Sequence, residues 1–473
     1  GEILVRARQQ AGVFGADYTV AQNRAVQRLC DRIGRVGGGY GGLTHRPRLY
    51  AGGVEQPESE TGRSLARRLA LEVYVPWTLA QLGRGMLLPV VPLYLRDAGL
   101  SYTMVAVVLA ALGLGAVLGG LPSGSIAGRH GPEWLFVGAT VATGLTAALL
   151  GISTAVFALV AFRLLYGVGV VGMRVSVQML VNLAAPVRLR GRGMSGLGGA
   201  LRLAFFVGPL VGGVLVDLVG FSMTFLVCGV TTLCGLIPFL AVRRDRPEGQ
   251  RFDRPAVPWS SLSNALHQHR GLLFLAGTGP ALVMTVREGR NVVVPLIGDE
   301  LGLSATAVGA LVAIGTGADL LLFPVAGWLM DRFGRLYAIV PAFSLLGLGM
   351  FVLGMSDTAT GAIVAGVIMG IGNGMSAGTM LTLGGDLAPT DAGPFLAALG
   401  MMQDSGAVVG PVIVGWLADS AGLAQSALVL AAVMFVAIAW IVIVLGDTAR
   451  PSRPWLVRRL DATTPQATST LHR

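Results

Sequence analysis

Long apolar runs separated by short polar turns occupy the chain from residue 69 to residue 445. Each run is about 20 residues long, and at about 1.5 Å rise per residue a helix of that length crosses the ~30 Å hydrocarbon core of a bilayer. The pattern predicts helices over residues 69–95, 102–121, 134–152, 156–181, 195–216 and 221–242. A second set follows over residues 271–297, 305–327, 336–355, 360–384, 393–417 and 424–445. A polar linker rich in Arg and Pro, residues 243–270, separates the sets. Residues 1–68 carry no such run, are rich in Gly and Arg, and read as a disordered cytoplasmic extension; residues 447–473 read as a polar cytoplasmic tail. The fold class expected is an all-α membrane protein with halves at 69–242 and 271–446.

The two sets repeat one another. Gly124-Ser-Ile-Ala-Gly-Arg129-His-Gly131 and Gly327-Trp-Leu-Met-Asp331-Arg332-Phe-Gly334-Arg335 stand 203 positions apart, as do Gly99-Leu-Ser101 and Gly302-Leu-Ser304. Gly208-Pro209 through Asp217 and Gly410-Pro411 through Asp419 stand 202 apart. Landmarks in one order at nearly one offset mark an internal duplication, the signature of a transporter built from parallel membrane repeats. The glycines of 327–335 are expected to turn the backbone between two spans, with Asp331 capping a helix or pairing with an Arg. Pro209 and Pro411 are expected to kink the fifth and eleventh helices.

Composition sharpens this reading. The 473 residues are 53% hydrophobic and 13% charged, too apolar for an ordinary soluble protein. The net charge of +10 does not point to nucleic acid, because the arginines sit in membrane-flanking loops and tails rather than on one soluble face. Loops after even-numbered spans carry Arg129, Arg188, Arg190, Arg192, Arg332 and Arg335. Loops after odd-numbered spans carry Asp97, Asp217, Asp299, Glu300, Asp357 and Asp419 with one Arg, Arg96. Both termini are therefore expected in the cytoplasm. The loop after the tenth span departs from the rule, with Asp386 and Asp391 and no Arg. Cys30, Cys228 and Cys234 form no metal or disulfide pattern, and the chain has no Lys, so it has no Walker-type phosphate loop. Gly167-Val-Gly-Val-Val-Gly172 lies inside an apolar run and is a packing stripe rather than a dinucleotide fingerprint. No cofactor, metal site or enzymatic nucleophile–base pair is indicated.

Residues 69–445 resemble the major facilitator superfamily. Gly327, Asp331, Arg332, Gly334 and Arg335 match the family's loop motif G-x-x-x-D-R-x-G-R in full. Arg163-Leu-Leu-Tyr-Gly167-Val-Gly169 matches R-x-x-x-G-x-G of the fourth helix, and Gly208-Pro209-Leu-Val-Gly-Gly213 is similar to a fifth-helix motif of the drug:proton antiporter branch. The first-half loop departs from the family at Gly128, where Asp is usual. The resemblance implies twelve transmembrane helices in two six-helix bundles, a central cavity and alternating access. It links Arg163 to proton coupling and places the fifth and eighth helices in contact between the halves.

Charges inside the spans are the functional candidates, since each is costly in mid-bilayer unless it meets water or a partner. Arg174, Arg202, Asp319 and Asp404 fall in the cytoplasmic half and balance into pairs; Arg202 with Asp319 is the expected gate, and Arg202 with Asp404 is the rival pairing. Arg84, Arg163, Arg287, Glu288 and Arg290 fall deeper, with a positive excess that favours an anionic or carboxylate-bearing ligand or is satisfied by carbonyls and water. Arg84, Arg163, Arg290 and Asn373 are expected around the substrate, and Glu288, Asp319 or Asp404 is expected to carry the proton. The function read from the sequence is a monomeric plasma-membrane secondary transporter, a proton-coupled exporter of a small organic molecule of the multidrug-resistance kind. Uptake or symport of an organic anion, and a non-transporting sensor on the same fold, are the alternatives.

Overall fold

The structure, a computed structural model, describes residues 69–185, 189–243, 267–388 and 392–448. The extension 1–68, the linker from 244 to 266, Arg188, Asp391 and the tail from 449 lie outside the described residues. Within them the chain is helical: α1 (Val75–Asp97), α2 (Tyr102–His130), α3 (Pro132–Leu149) and α4 (Val156–Ala184) come first. The stretch Arg190–Cys234 runs on without a loop but leaves the helical region at Gly220 (φ 78°, ψ 174°). We take residues 190–219 as α5, and residues 221–234 with the following Leu236–Arg243 as α6. Then come α7 (Arg270–Glu300), α8 (Ala305–Phe333), α9 (Arg335–Gly354), α10 (Ala359–Met375, resumed as Thr379–Leu387), α11 (Ala392–Ala421) and α12 (Leu423–Trp440). Nine stretches among the described residues are long and apolar enough to cross a membrane, the Arg190–Ala241 stretch counting as one. Neither α1 nor α7, which carry mid-length arginines, is among the nine.

The repeated landmarks are the places where helices start and stop. Gly99 and Gly302 end α1 and α7 at φ 77° and 70°, a left-handed turn that glycine takes without steric cost. Ser101 and Ser304 then cap α2 and α8, each hydroxyl accepting a backbone N–H at 3.3 Å. Gly131 and Gly334 separate α2 from α3 and α8 from α9 in the same way.

Packing follows the duplication. In the first half α1 packs on α5, α2 on α4, and α3 on α4; in the second α7 packs on α11, α8 on α10, and α9 on α10. The halves meet most extensively where α5 packs on α8 and α2 on α11, and α1 also touches α7 and α8. The two larger contacts are tight enough to exclude side chains: a Cβ at Gly213 would collide with the Ala305 carbonyl, and one at Gly415 with the Tyr102 carbonyl and Ala106.

Two expectations are corrected. The stretch 327–335 is not a turn: α8 stays helical to Phe333, and only Gly334, at φ 111°, turns the chain. Gly327 lies within the helix with open space around its missing Cβ. The tenth apolar run is two helices, because Gly378 at φ 77° interrupts it. Pro209 and Pro411 lie inside α5 and α11, whose helical backbone continues past both. Pro209 has a partner across the α5–α8 contact. Lacking an N–H, it leaves the Phe205 carbonyl without its helical donor, and Thr316 Oγ1 of α8 supplies one at 2.8 Å. Gly208 and Gly410 let α5 and α11 press on the α1 and α7 backbones.

Candidate functional site

One cavity draws on both halves. Arg84 of α1, Arg163 and Tyr166 of α4 and Phe205 of α5 line it from the first half; Glu288 and Asn291 of α7 line it from the second. Its empty volume, mouth included, is about 640 Å³. Leu87, Leu88, Leu109 and Leu112 supply apolar wall. Arg163 and Tyr166 lie one turn apart on α4 and so share a face. Arg163 is 7% exposed, and its Nε has no hydrogen-bond partner; neither has the fully buried Tyr166 Oη. The Arg163 guanidinium lies 5.5 Å from the Tyr166 ring centre, and that of Arg84 lies 5.3 Å from the Phe205 ring centre. Glu288 accepts from Asn291 Nδ2 at 3.2 Å, a pairing one turn apart on α7. Arg290 lines a separate cavity with Thr316, Leu311 and Met369, and Leu88 and Asn291 border both cavities.

A second polar group holds α5, α8 and α10 together. Asp319 Oδ1 accepts from Arg202 Nε at 2.9 Å, and Oδ2 accepts from Asn373 Nδ2 at 2.7 Å. The pair is largely buried, 20% and 10% exposed, and Arg202 also lies 5.0 Å from the Phe323 ring centre. Arg287 donates to Ser376 Oγ at the break in α10. Asn373 thus stands with Asp319 and lines neither cavity. Asp404 is engaged by Arg174 at 3.1 Å, not by Arg202, and that pair is much wetter, 46% and 23% exposed. The loop motif has its own partners. Arg335 holds Asp386 of α10 at 3.0 and 3.4 Å, its backbone N–H donates to Asp447 at 3.3 Å, and Arg332 packs over Trp328 and Phe333.

At the opposite end, carboxylates meet helix starts. Asp419 of α11 accepts from the Tyr102 and Thr103 N–H groups at 3.0 and 2.8 Å, and Asp217 of α5 accepts from the Thr306 N–H at 2.9 Å. These satisfy orphan donors at the N-termini of α2 and α8, where negative charge also meets the positive end of the helix dipole. Sequence reasoning had both acids as landmarks of the repeat and missed their role. It also missed Tyr166 and Asn291, although each is three residues from a charge already singled out. The break at Gly378 had a signal in the run Gly374-Met-Ser-Ala-Gly378.

The sequence pattern of the Major Facilitator Superfamily matches residues 78–390 and again 278–469. This chain belongs to the Major Facilitator Superfamily. Among curated superfamily members, an uncharacterized transporter of Methanocaldococcus jannaschii is 22% identical over 368 residues, 76% of this chain and 94% of that one. Multidrug resistance protein 1 of Bacillus subtilis is 32% identical over 150 residues, 31% of this chain and 36% of its own length. The bacillibactin exporter of the same organism is 30% identical over 147 residues, 29% of this chain and 37% of its own. The fold is that of solved superfamily structures. A bacterial homolog of the human lysosomal transporter Spinster, inward-facing and unoccupied, aligns at TM-score 0.65 and 14% identity over 86% of this chain and all of that one. The nucleoside transporter NupG aligns at 0.67 and 12% identity over 79% and 99%. The chain is thus a multi-pass membrane transporter and not an enzyme.

Proposed function

We propose that this superfamily member is a secondary active transporter that moves a small organic molecule by alternating access and couples the movement to protons through Glu288. The observation that carries the reading is the composition of the central cavity: arginines from α1 and α4 and an acid from α7 border one space between the halves. A group that must be reached in turn from each side of a membrane belongs where the halves meet. In this reading twelve spans form two six-helix bundles, residues 69–242 and 271–446, the end carrying Arg129, Arg332 and Arg335 faces the cytoplasm with both termini, and the transporter works as a monomer in the plasma membrane. Export is the direction supported by the names of the two Bacillus subtilis relatives. The excess of arginine over acid around the cavity favours a second reading, in which an organic anion and a proton move together.

Proton flux tests the coupling. In proteoliposomes Glu288→Gln should abolish transport driven by a pH gradient and leave substrate exchange at equal pH partly intact. Undiminished pH-driven transport in that variant would remove Glu288 from the role and pass it to Asp319 or Asp404. Topology has a separate check. A cysteine at Asp357 should react with a membrane-impermeant reagent from outside, and one at Gln250, in the linker outside the described residues, should not. Reaction of both from one side would overturn the orientation and the span count.

A further inference from the structure

Arg163 and Tyr166 present a pair of buried donors with nothing to bind. The Arg163 Nε–H and the Tyr166 O–H are both buried and lack a partner, and both residues line the same cavity. Leaving such groups unpaired is costly, and the cost is recovered when a ligand supplies acceptors. A ligand that fits must be acceptor-rich and negative, since Arg84 adds a second guanidinium to the lining. The leucine walls and the Phe205 ring ask for an apolar body behind the charged group. Resting on the cavity being the substrate site, we propose that Arg163 and Tyr166 receive a carboxylate-type oxyanion of an amphipathic substrate, and that this anion and a proton on Glu288 occupy the cavity together.

The sign of the coupling follows from charge. The charged and titratable groups around Glu288 are Arg84 from α1, Arg163 and Tyr166 from α4, and Arg287 and Arg290 from α7 itself, with Asp319 of α8 beyond Arg290. From α11 the cavity receives only Ala407 and Pro411. Ionised Glu288 and a bound oxyanion compete for Arg163, and two negative charges in one cavity repel. Protonating Glu288 removes the competitor and frees Arg163 for the ligand. Linkage is reciprocal, so the bound anion strengthens proton binding by the same factor. A substrate exchanged against protons would show the opposite sign, each displacing the other. Tyr166 differs in kind from Arg163: it orients the oxyanion without supplying charge.

The test uses the purified full chain with benzoate and larger aromatic carboxylates as probes, and their neutral amides as controls. All the carboxylates are ionised between about pH 6 and pH 8. Binding is read as a thermal shift and as protection of a cysteine placed at Leu112, in a background with the three native cysteines changed to Ser. The expected result is that carboxylates bind, protect the cysteine and bind more tightly as pH falls, while the amides do none of this. Arg163→Gln and Tyr166→Phe should each weaken binding, the first by about 10-fold or more, the effect of losing a charged hydrogen bond. Glu288→Gln should bind at the low-pH affinity throughout and lose the pH slope, a readout that general damage to the fold would not produce. Absence of carboxylate binding, equal binding of the amides, or unchanged affinity in Arg163→Gln would overturn the oxyanion site. Tighter binding as pH rises would overturn joint occupancy. Binding without protection of the Leu112 cysteine would instead overturn the cavity as the substrate site, which separates the two failures.

Discussion

The α5–α8 and α2–α11 contacts join the halves at two ends, and the ends are held by different chemistry. At one end a carboxylate from each half accepts backbone N–H groups at the start of a helix in the other, and glycines bring backbone against backbone. At the other end guanidinium and carboxylate side chains reach across, Arg202 to Asp319 and Arg174 to Asp404. Backbone contact through glycine is short-ranged and is lost outright when helices part by an ångström or two, because packed interfaces are bistable rather than elastic. A long arginine can follow a receding partner over some distance. The first end is therefore an all-or-none closure and the second a tether. The tether includes Arg202–Asp319, the pair expected from the sequence to be the gate. The pair is formed in a structure whose opposite end is also closed, so the pair alone does not define which side is open.

The largest expected effect comes from that buried tether. Removing one partner of a buried pair costs about 3–5 kcal/mol, because the remaining charge is left uncompensated. Arg202→Ala leaves Asp319 with the Asn373 amide and the charges of Arg287 and Arg290 but without its ion-pair partner, so the α8–α10 region should loosen, cavity cysteines should react faster from the cytoplasmic side, and transport should slow. The charge swap Arg202→Asp with Asp319→Arg should recover part of the rate. A swap with Asp404 should not, since Asp404 faces Arg174. Rescue by the Asp404 swap alone would show that the working pair is the repeat-related one.

A smaller effect is expected at the closed end. Loss of a capping carboxylate costs about 1 kcal/mol, nearer the lower bound here because both acids are exposed. Asp419 sits against the Tyr102 and Thr103 N–H groups and Asp217 against those of Ala305 and Thr306, so Asp419→Ala and Asp217→Ala should open this end to a similar degree. The double variant should shift the balance between open and closed by about 10-fold if the sites act independently. Cross-linking of cysteines placed at Thr306 and Leu218 reports the closed fraction. A marked difference between the two single variants would mean that the two contacts are not equivalent parts of one closure.

Much of this was legible in the sequence, and the limits have physical causes. The helix ends at Gly99–Ser101 and Gly302–Ser304 could be read because left-handed glycines and serine caps are local signals. The charge balance of Arg202 and Asp319 could be read because membrane burial makes each unpaired charge conspicuous. The true extent of α8 could not: the polar stretch 327–333 reads as loop by composition, yet helical backbone satisfies its own hydrogen bonds at the membrane edge. Tyr166 stayed hidden because a tyrosine in an apolar helix is indistinguishable from packing until its hydroxyl is found without a partner. Arg290 falls with Arg84 by depth, and depth carries no information about which way around the bundle a helix face points. The Thr316 bond to the Phe205 carbonyl needs the α5–α8 contact to exist before Pro209 explains it.

The smallest effect is expected at Arg174–Asp404, and it tests whether the tethers are equivalent. By chain position Asp404 is the counterpart of Arg202, so perfect symmetry would give it a partner on α2 at the site corresponding to Asp319. That site is Ala116, 203 positions earlier, and the carboxylate turns to α4 instead. The pair that results is half in water, where double-mutant cycles give about 0.2–1 kcal/mol. Arg174→Ala should therefore leave the fold unchanged and alter cytoplasmic accessibility by less than about fivefold. The residual effect should fade in high salt, because exposed charges are screened within about 10 Å at 0.1 M ionic strength. Arg202→Ala, acting on a buried pair, should keep its effect under the same salt. If both variants respond to salt alike, the Arg202–Asp319 pair is solvated during transport, and the difference in burial between the two tethers does not govern how they work.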